Sequence, residues 1–442
     1  MNYAQQYAKQ ILATPLIDQP EVLAIAQQGI LDFFACNLRA KQESEVADLI
    51  QWAKQEGGKP TSWLIGHKMC LNARQTALIL GLQTHLLDYD DAHEKVRGHP
   101  SAVILSALFA SIDFHQKAPI SSLRFLSAYI IGVEFMARLG DLLNPQHYLN
   151  GWHSTATLGG FGAVAAICYL HQYDFLAEAF ALISTQSSGL RITFGTSVKP
   201  LNAGIAAQNA IQTIAWLKNG IKAQFDCFYP ELGFLATQGK KAMTLELSNW
   251  GENWQITQLW FKTYYYCSAA ANIADATYQL RQNNSIQAED IEQLELIFAP
   301  KSDAALIYTR PLIEKQGRFS AEYIVAKILY HEPLDCDAFS ERPIAPHIAQ
   351  LMEKMTRSYQ HDPQNERFAQ LKPRSKNQTF LSPRINYPQG SPNNPYSKEQ
   401  HYHKLATAIQ NPKLSQALQQ AIDAFSQDSD MIQFIQTYFH QL

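Results

Sequence analysis

Ionisable side chains are concentrated in residues 88–101, which read DYDDAHEKVRGHPS. The stretch holds three aspartates, one glutamate, two histidines and two cations, and apolar segments flank it. Titratable groups held against a protein core often carry out acid–base chemistry, because burial and neighbouring charges shift their pKa values. We interpret the stretch as a helix end, a loop and a helix start, and we expect Asp88 and His99 to be its active members.

The same residues allow other interpretations. Asp88 could orient or deprotonate a histidine, and His85, three residues earlier, could pair with it on a helix surface. A metal site built from Asp88, Asp91 and His93 is the alternative, but their spacing matches no known ligand motif, so we expect no metal. The remaining acids of the stretch are interpreted as solvated bystanders: Asp90 and Glu94.

Three predicted helix starts carry basic side chains. His99 and Lys199 each precede a proline, which is favoured in the first turn of a helix, so each is expected at a helix boundary. His153 precedes Ser154 and Thr155, either of which could cap the next helix. A helix N-terminus presents free N–H groups, and a basic side chain adds to its attraction for anions. Brought together, the three starts would suit a substrate with several carboxylates, although a basic residue can precede a helix proline by chance.

The periodicity of apolar residues along the sequence predicts the elements that position these residues. Alanine, leucine and isoleucine recur at helical spacing up to about residue 248, and helical spacing returns after residue 396, where a serine and a glutamine fit a capping box. Between these parts, residues 291–298 and 379–387 are predicted strands, and two helices are predicted at residues 320–330 and 344–356. We therefore expect a mainly α fold: a large all-helical domain (residues 1–257 and 396–442) with an inserted smaller α+β lid domain (residues 258–395).

Composition excludes several classes of protein. A net charge of −3 over 442 residues gives no electrostatic case for nucleic-acid binding. The six cysteines are widely spaced and form no C-x-x-C pair, which argues for reduced thiols in a cytoplasmic protein and against a zinc ribbon. The N-terminal segment is polar, and the most apolar segment, residues 123–139, contains three charged side chains, so we expect neither a signal peptide nor a membrane span. The sequence contains no phosphate-loop, dinucleotide-binding or zinc-protease motif.

Several motifs, read together, resemble the MmgE/PrpD family. The stretch 88–101 resembles the family signature, with DYDD followed by RGHPS. The similarity continues in order through GWHST with a glycine-rich run, SGL, KPLNAG, Lys262 with Cys267, FSAEY and GSPNNP. The resemblance covers nearly the whole chain, and the motifs together are specific for the family.

The family includes 2-methylcitrate dehydratase, cis-aconitate decarboxylase and an iminodisuccinate epimerase. The resemblance implies a homodimer whose active site lies between a helical domain and an α+β lid. It also implies a small polycarboxylate substrate, no metal and no organic cofactor. By matching motif positions, it implies six residues that line the site: Asp88, His99, His153, Lys199, Lys262 and Tyr323.

Three positions depart from the family pattern. Ala92 stands where the dehydratases and decarboxylases commonly have threonine after the paired aspartates. Asn202 and Ala271 stand where many members have histidine. The site therefore lacks a hydroxyl and two imidazoles, and the family's best-known substrates do not carry over directly.

We expect a common chemistry of proton movement next to a carboxylate. Removal of such a proton creates an enediolate-like charge, which nearby cations and N–H donors stabilise. Lys199 and Lys262 would bind the substrate carboxylates and this charge, with Arg97 as a further carboxylate ligand. His99 would be the main acid–base group, with Asp88 acting on its imidazole.

A second proton-transfer group would lie across the substrate from His99, and either Tyr323 or His153 could serve. The leading hypothesis is a cofactor-independent lyase that dehydrates a small di- or tricarboxylate of the 2-methylcitrate type. The second is an isomerase, epimerase or decarboxylase that acts on a related polycarboxylate. The third is a catalytically degenerate carboxylate-binding protein.

Overall fold

Helices form most of the fold, so the prediction of a mainly α protein is confirmed. The computed structural model describes residues 1–283, 286–364, 367–376 and 378–442. The helices before residue 258 are α1 (Tyr3–Leu12), α2 (Pro20–Ala40), α3 (Ser44–Glu56), α4 (Ala73–His85), α5 (Pro100–Ser111), α6 (Ser122–Leu143), α7 (Gln146–Leu149), α8 (Ser154–His171), α9 (Leu176–Ser184), α10 (Val198–Lys218) and α11 (Phe234–Gln238).

Four central helices, α4, α5, α8 and α10, pack against one another and position the predicted site. α5 is buried over residues 100–110 and α8 over residues 154–170, as expected of helices that are apolar on all sides. α4 and α10 approach closely because two glycines face each other. A β-carbon on Gly81 would lie 2.6 Å from the Cα of Gly204. The end of α4 therefore lies beside the start of α10.

Two short antiparallel ladders join loops, one within the helical part and one between the helical part and residues 259–260. β1 (Ser62–Trp63) pairs with β2 (Cys70–Leu71), and β3 (Ala92–His93) pairs with β4 (Leu259–Trp260). The second ladder fastens the loop that follows α4 to the segment that carries Lys262.

The apolar segment at residues 123–139 belongs to α6, a buried helix as expected. Its side chains are buried over residues 125–137. The charge of Glu134 is matched by Arg138, whose Nε lies 2.6 Å from the glutamate Oε1. Across the described ranges, no helix is both long enough and apolar enough to cross a bilayer.

Residues 258–395, which were predicted as the lid and are called the lid below, combine helices with a small sheet around a second hydrophobic core. Tyr148 and Phe194 of the helical part also contribute to this core. The further elements of the lid are α12 (Ala271–Asn283), β5 (Ile291–Phe298), α13 (Glu314–Gly317), α14 (Ala321–Leu329), α15 (Pro346–Glu353), β6 (Met355–Tyr359) and β7 (Ala369–Ser375). The strands form a sheet in the order β6-β5-β7, in which β5 is parallel to β6 and antiparallel to β7.

Most of the elements predicted for the lid are present. The strand over residues 291–298 is confirmed at both ends, and the two predicted helices are confirmed with shorter bounds. The strand predicted over residues 379–387 is wrong, since the described residues there form only isolated bridges, at Thr379 and Ile385. Pro383 lies within this segment and has no N–H to donate to a ladder, which explains the interruption.

After the lid the chain returns to the helical part as α16 (Lys398–Ile409), α17 (Pro412–Asp423) and α18 (Met431–Tyr438). α16 begins with the predicted capping box, in which the side chains of Ser397 and Gln400 each accept a hydrogen bond from the other's backbone N–H. α16 and α17 pack against α2, and their apolar side chains join the core of the earlier helices.

Candidate active site

A cavity of about 320 Å³ lies between the helical part and the lid. His99, His153 and Lys199 line it from the helical part, and Cys267 and Arg367 line it from the lid. Its volume is in the range that holds a small ligand. The three predicted helix starts therefore meet at one cavity.

The helix boundaries differ in part from the predictions. His99 is the N-cap of α5, as predicted. His153 itself, rather than Ser154 or Thr155, is the N-cap of α8, because the chain is extended at His153 and already helical at the next residue. Lys199 lies near the start of α10, as predicted, but it is the second residue of the helix, after the N-cap Ser197. Proline fits anywhere in a first turn, where backbone N–H groups have no partner within the helix.

Asp88 is the centre of a buried ion-pair cluster. Its Oδ1 accepts hydrogen bonds from Lys199 Nζ at 3.0 Å and from Lys262 Nζ at 2.5 Å. Burial disfavours the Asp88 carboxylate, but the two ammonium groups outweigh burial and hold the pKa of Asp88 well below its usual range. Burial also disfavours the Lys262 ammonium, but Asp88 outweighs it and raises the pKa of Lys262. Both groups are therefore charged at neutral pH.

The backbone after α4 directs Asp88 towards both lysines. Asp88 has a φ of 52°, in the left-handed region that aspartate tolerates better than most residues. Lys262 also donates to the carbonyl oxygen of Asp88 at 2.7 Å, so one ammonium group binds the backbone and the side chain of the same residue. The β3–β4 ladder keeps the two segments side by side.

The two nitrogens of the His99 ring have different surroundings: Nδ1 is hydrogen-bonded to the loop before it, and Nε2 points towards Asp88. Its Nδ1 lies 2.7 Å from the Asp91 carbonyl oxygen and 3.3 Å from Asp90 Oδ2. Both oxygens are acceptors, so Nδ1 carries the proton and Nε2, 3.7 Å from Asp88 Oδ1, keeps its lone pair. Burial lowers the pKa of His99, and the attraction of Asp90 does not reverse this. A neutral His99 whose Nε2 forms no hydrogen bond with the described residues can act as a base.

Asp90 belongs to this cluster, so its prediction as a solvated bystander is wrong. It is buried, and its Oδ2 lies 2.9 Å from His85 Nδ1. His85 therefore pairs with Asp90 and not with Asp88, because α4 ends at His85 and the following loop folds back over its last turn. Burial lowers the pKa of His85 to about 3 although Asp90 opposes the change. Glu94 is exposed, as expected.

A second buried network holds Asp91 behind His99. The Ser101 hydroxyl donates to the Asp91 carboxyl and also lies within hydrogen-bond distance of the Tyr129 hydroxyl. Burial raises the pKa of Asp91 well above its usual range, against the hydrogen bond from Ser101. The carbonyl that accepts from His99 is therefore fixed by a side chain of the same residue.

Among the described residues, a possible metal-binding group consists of His85, Asp88, Asp90 and His99, whose ligand atoms lie within 4.8 Å of one another. It differs from the triad considered from the sequence, because Asp91 faces Ser101 and His93 Nε2 bonds to the backbone carbonyl of residue 255. The group suits internal ion pairing better than a metal. Two ammonium groups already hold Asp88 Oδ1, and their charges would repel a divalent cation.

His153 presents a second imidazole at the cavity. Within the described part of the chain its Nε2 has no hydrogen-bond partner, and Asn202 Nδ2 lies 3.4 Å from its Nδ1. An amide nitrogen can only donate, so Nδ1 accepts and the proton lies on Nε2. Burial, with a smaller contribution from His85, lowers the pKa of His153 well below its usual range. His153 is therefore a neutral N–H donor next to the cavity.

The two other predicted residues differ in their access to the cavity. Arg97 lines the cavity, with its guanidinium 5.8 Å from the centre of the Tyr148 ring. Tyr323 does not reach the cavity: it is 1% exposed in the lid core, and its hydroxyl donates to the Ala338 carbonyl oxygen at 2.7 Å. The proposed proton-transfer role of Tyr323 is therefore corrected, because its hydroxyl is already committed within the lid.

Two residues near the site were missed from the sequence. Lys404 of α16 donates to Asp32 Oδ1 at 2.6 Å, to the Tyr89 carbonyl at 2.8 Å and to the Lys262 carbonyl at 3.2 Å. It fixes the backbone on both sides of the ion-pair cluster. Arg367 lines the cavity from the lid. Neither carries a local signal, since Lys404 lies 142 residues after Lys262 and Arg367 lies in a segment rich in proline and asparagine.

Comparison with known proteins identifies the family of the chain. The family models of the MmgE/PrpD N-terminal and C-terminal domains match residues 5–244 and 264–430. A cis-aconitate decarboxylase-like protein, oryM, of Aspergillus oryzae is 25% identical over 371 residues, which cover 76% of this chain and 75% of that protein. Cis-aconitate decarboxylase of Mus musculus is 22% identical over 301 residues, which cover 65% of this chain and 61% of the mouse protein, less than two thirds of its length. The two family models together span both the helical part and the lid, and the chain belongs to the MmgE/PrpD family.

Proposed function

We propose that this protein is a cofactor-independent lyase that acts on a small di- or tricarboxylate by moving a proton next to a carboxylate. Dehydration of a hydroxy acid of the 2-methylcitrate type is the leading reaction. The observation that carries the proposal is the protonation of the His99 ring. Its Nδ1 proton is held by the Asp91 carbonyl oxygen and the Asp90 carboxylate, whereas Nε2 lies 3.7 Å from Asp88 and forms no hydrogen bond with any described residue. Membership of the family supports an enzyme of the dehydratase or decarboxylase kind.

In the proposed reaction His99 is the base. Its Nε2 takes a proton from the carbon next to a substrate carboxylate, and the electron pair moves onto that carboxylate as an enediolate-like charge. Lys199 lines the same cavity and stabilises this charge. The electron pair then forms the carbon–carbon double bond as the bond to the β-hydroxyl breaks. The departing oxygen accepts a hydrogen bond from the N–H of neutral His153, takes up the proton held by His99 and leaves as water.

Asp88 has a supporting role in this scheme. It holds Lys199 and Lys262 by ion pairs, so that two cations remain close to each other without repulsion. Low exposure of the cluster strengthens these interactions relative to water. The lysines are therefore oriented before the substrate arrives.

Decarboxylation is the second candidate, because both curated relatives carry that name. In that reaction the bond between a carboxylate carbon and its neighbour breaks, carbon dioxide leaves, and a proton is delivered to the remaining carbon. This proton comes from solvent, while the N–H of neutral His153 donates a hydrogen bond to the charge that develops on the substrate. Ala92, Asn202 and Ala271 stand where related enzymes often carry other residues, so the substrate of the relatives is not assumed.

Turnover in D₂O, followed by ¹H and ¹³C NMR, tests the proposal with 2-methylcitrate, citrate and cis-aconitate. An unsaturated product with all carbons retained supports dehydration, and loss of carbon dioxide supports the second candidate. Deuterium exchange without loss of a group indicates an isomerase or epimerase. Binding of the acids without any turnover overturns the proposal in favour of a carboxylate-binding protein.

A matched pair of variants tests the role of His99. His99→Gln removes the base and is expected to lower kcat/KM by about 10²–10⁴-fold. His171→Gln is the control, because His171 is a partly buried histidine that bonds to Ser111 Oγ at 3.0 Å away from the cavity. Its kcat/KM is expected to stay within about twofold of the wild type. Equal activity of the two variants contradicts the assignment of His99.

A further inference from the structure

We propose that Arg367 binds a carboxylate of the substrate on the lid side of the cavity, so that the enzyme selects acids with at least two carboxylates. The inference rests on the proposed function and extends it from the reacting end of the substrate to a second end. It is carried by the way in which the guanidinium is held and by the lack of an ion pair between it and any carboxylate of the described residues.

The guanidinium of Arg367 is fixed in place but only partly used. Its Nε donates to Asn272 Oδ1 at 3.2 Å, and its Nη2 donates to the Ser268 carbonyl at 2.5 Å. The group also lies 4.4 Å from the centre of the Trp260 ring. These contacts set the plane of the guanidinium, whereas Nη1 forms no hydrogen bond with any described residue. An oriented donor edge is therefore available at the cavity wall.

The charge of Arg367 is attracted by the exposed Glu94 of the same cavity lining but is not neutralised by direct pairing within the described ranges. All its hydrogen-bond partners are neutral, and no carboxylate of the described residues forms an ion pair with it. Two other lid arginines differ in this respect, because Arg357 pairs with Asp303 at 2.9 Å and Arg384 pairs with Asp362 at 2.7 Å. Burial lowers the pKa of Arg367, in keeping with a desolvated cation. Such a cation is stabilised when an anion binds beside it.

The lining of the cavity places cationic groups on two opposite walls. Lys199 and the N-caps of α5 and α8 line the helical wall, where proton transfer is proposed, and Arg367 lines the lid wall. Ala92, which lacks the hydroxyl common in the family, lies in the same lining. A substrate that contacts both walls needs one carboxylate for each. Arg367 is therefore a residue that determines specificity rather than one that moves a proton.

The alternative is that Arg367 only braces the start of α12 through Ser268 and Asn272. The two roles differ in their dependence on ligand charge. Tricarballylate carries three carboxylates and no hydroxyl group to lose, and glutarate and methylsuccinate each lack a different one of the three. Their dissociation constants are measured by calorimetry with the full chain, for the wild type and for Arg367→Met.

Arg367→Met is expected to weaken tricarballylate binding by about 10-fold or more, the loss expected for a hydrogen bond to a charged group. At least one of the two truncated probes is expected to bind the wild type and the variant equally, because it lacks the carboxylate that Arg367 contacts. Arg281→Met is the control. Arg281 also lies in the lid, donates to the Ile328 carbonyl at 2.9 Å and faces the Tyr278 ring, but it is outside the cavity lining.

Equal weakening of all three probes, or of none, overturns the inference and leaves the proposed function standing. Failure of the wild type to bind any of the three overturns the proposed function itself. Arg367→Gln, which can retain the bond to Ser268 without the charge, repeats the measurement if the methionine variant does not fold. Unchanged affinity of Arg367→Gln for tricarballylate also overturns the inference.

Discussion

Lys404→Met is expected to destabilise the fold and disturb the candidate site together. Lys404 is buried and bonds to Asp32, to the Tyr89 carbonyl and to the Lys262 carbonyl. Burial disfavours its ammonium, but Asp32 outweighs burial and raises the pKa of Lys404 well above its usual range. The methionine side chain has a similar length and no charge. The change therefore leaves a buried carboxylate and two carbonyls without their donor.

The size of the effect follows from these contacts. Removal of one partner of a buried ion pair costs about 3–5 kcal/mol, because the remaining charge is uncompensated. The double variant Asp32→Asn/Lys404→Met removes that charge and is expected to recover about 2 kcal/mol of the free energy of unfolding, with a residual loss of about 1 kcal/mol for each carbonyl. Activity is expected to fall on the order of 10²-fold in both variants, because the backbone beside Asp88 loses its anchor.

Urea unfolding, followed by circular dichroism, and steady-state kinetics measure the two effects. Lys398→Met is the matched control on the same helix, because Lys398 pairs with Asp423 at 3.0 Å with 53% of its side chain exposed. Lys398→Met is expected to lower the free energy of unfolding by less than about 1 kcal/mol. A loss below about 1 kcal/mol for Lys404→Met refutes the buried ion pair as a stabilising anchor. Recovery of activity along with stability in the double variant refutes the positioning of the site through the two carbonyls.

Three further predictions concern pH and packing. The kcat/KM of the wild type is expected to fall only below pH 6.5, because burial lowers the pKa of His99 below its ordinary value of 6.5; a half-maximal point above pH 6.5 contradicts a neutral base. The free energy of unfolding is expected to decrease from pH 6.5 towards pH 4, because unfolded histidines gain protons there while buried His85 and His401, with pKa values lowered to about 3, do not. Each such histidine lowers the free energy of unfolding by at most about 1.4 kcal/mol per pH unit. Equal urea midpoints at pH 7 and pH 5 contradict the expected decrease. Gly204→Ala is expected to cost about 1–3 kcal/mol, because its β-carbon would overlap the backbone carbonyl of Leu78; an unchanged urea midpoint contradicts this close approach.

Features that depend on neighbouring residues were predictable from the sequence. The strand at residues 291–298, the capping box at Ser397 and the N-cap at His99 each have a local physical cause: burial pattern, side-chain reach or the proline that follows. The strand predicted at residues 379–387 is wrong for a reason that is also local, because Pro383 cannot donate to a ladder. The helical class followed from the same kind of evidence.

Features that depend on distant contacts were not predictable in this way. Asp90 looks solvated in the sequence, and only the return of the loop over α4 buries it against His85. Tyr323 matches a family motif, but the orientation of α14 turns its hydroxyl into the lid core. Lys404 and Arg367 act across long separations in the chain, where helical spacing gives no information. Composition and spacing therefore predicted the region of the candidate site, whereas packing between distant segments determines which residues belong to it.

The contact of Lys404 with the Lys262 carbonyl has a consequence for synthesis of the protein. The two residues are 142 positions apart, so at 5–20 residues per second Lys404 is added roughly 7–28 s after Lys262. During that interval Asp32 lacks its counter-ion and the face of α2 that later contacts α16 is uncovered. The nascent chain can therefore bury its early helices but cannot complete the charged cluster. A chain released before α16 would be a substrate for chaperones and proteases rather than a partly active enzyme.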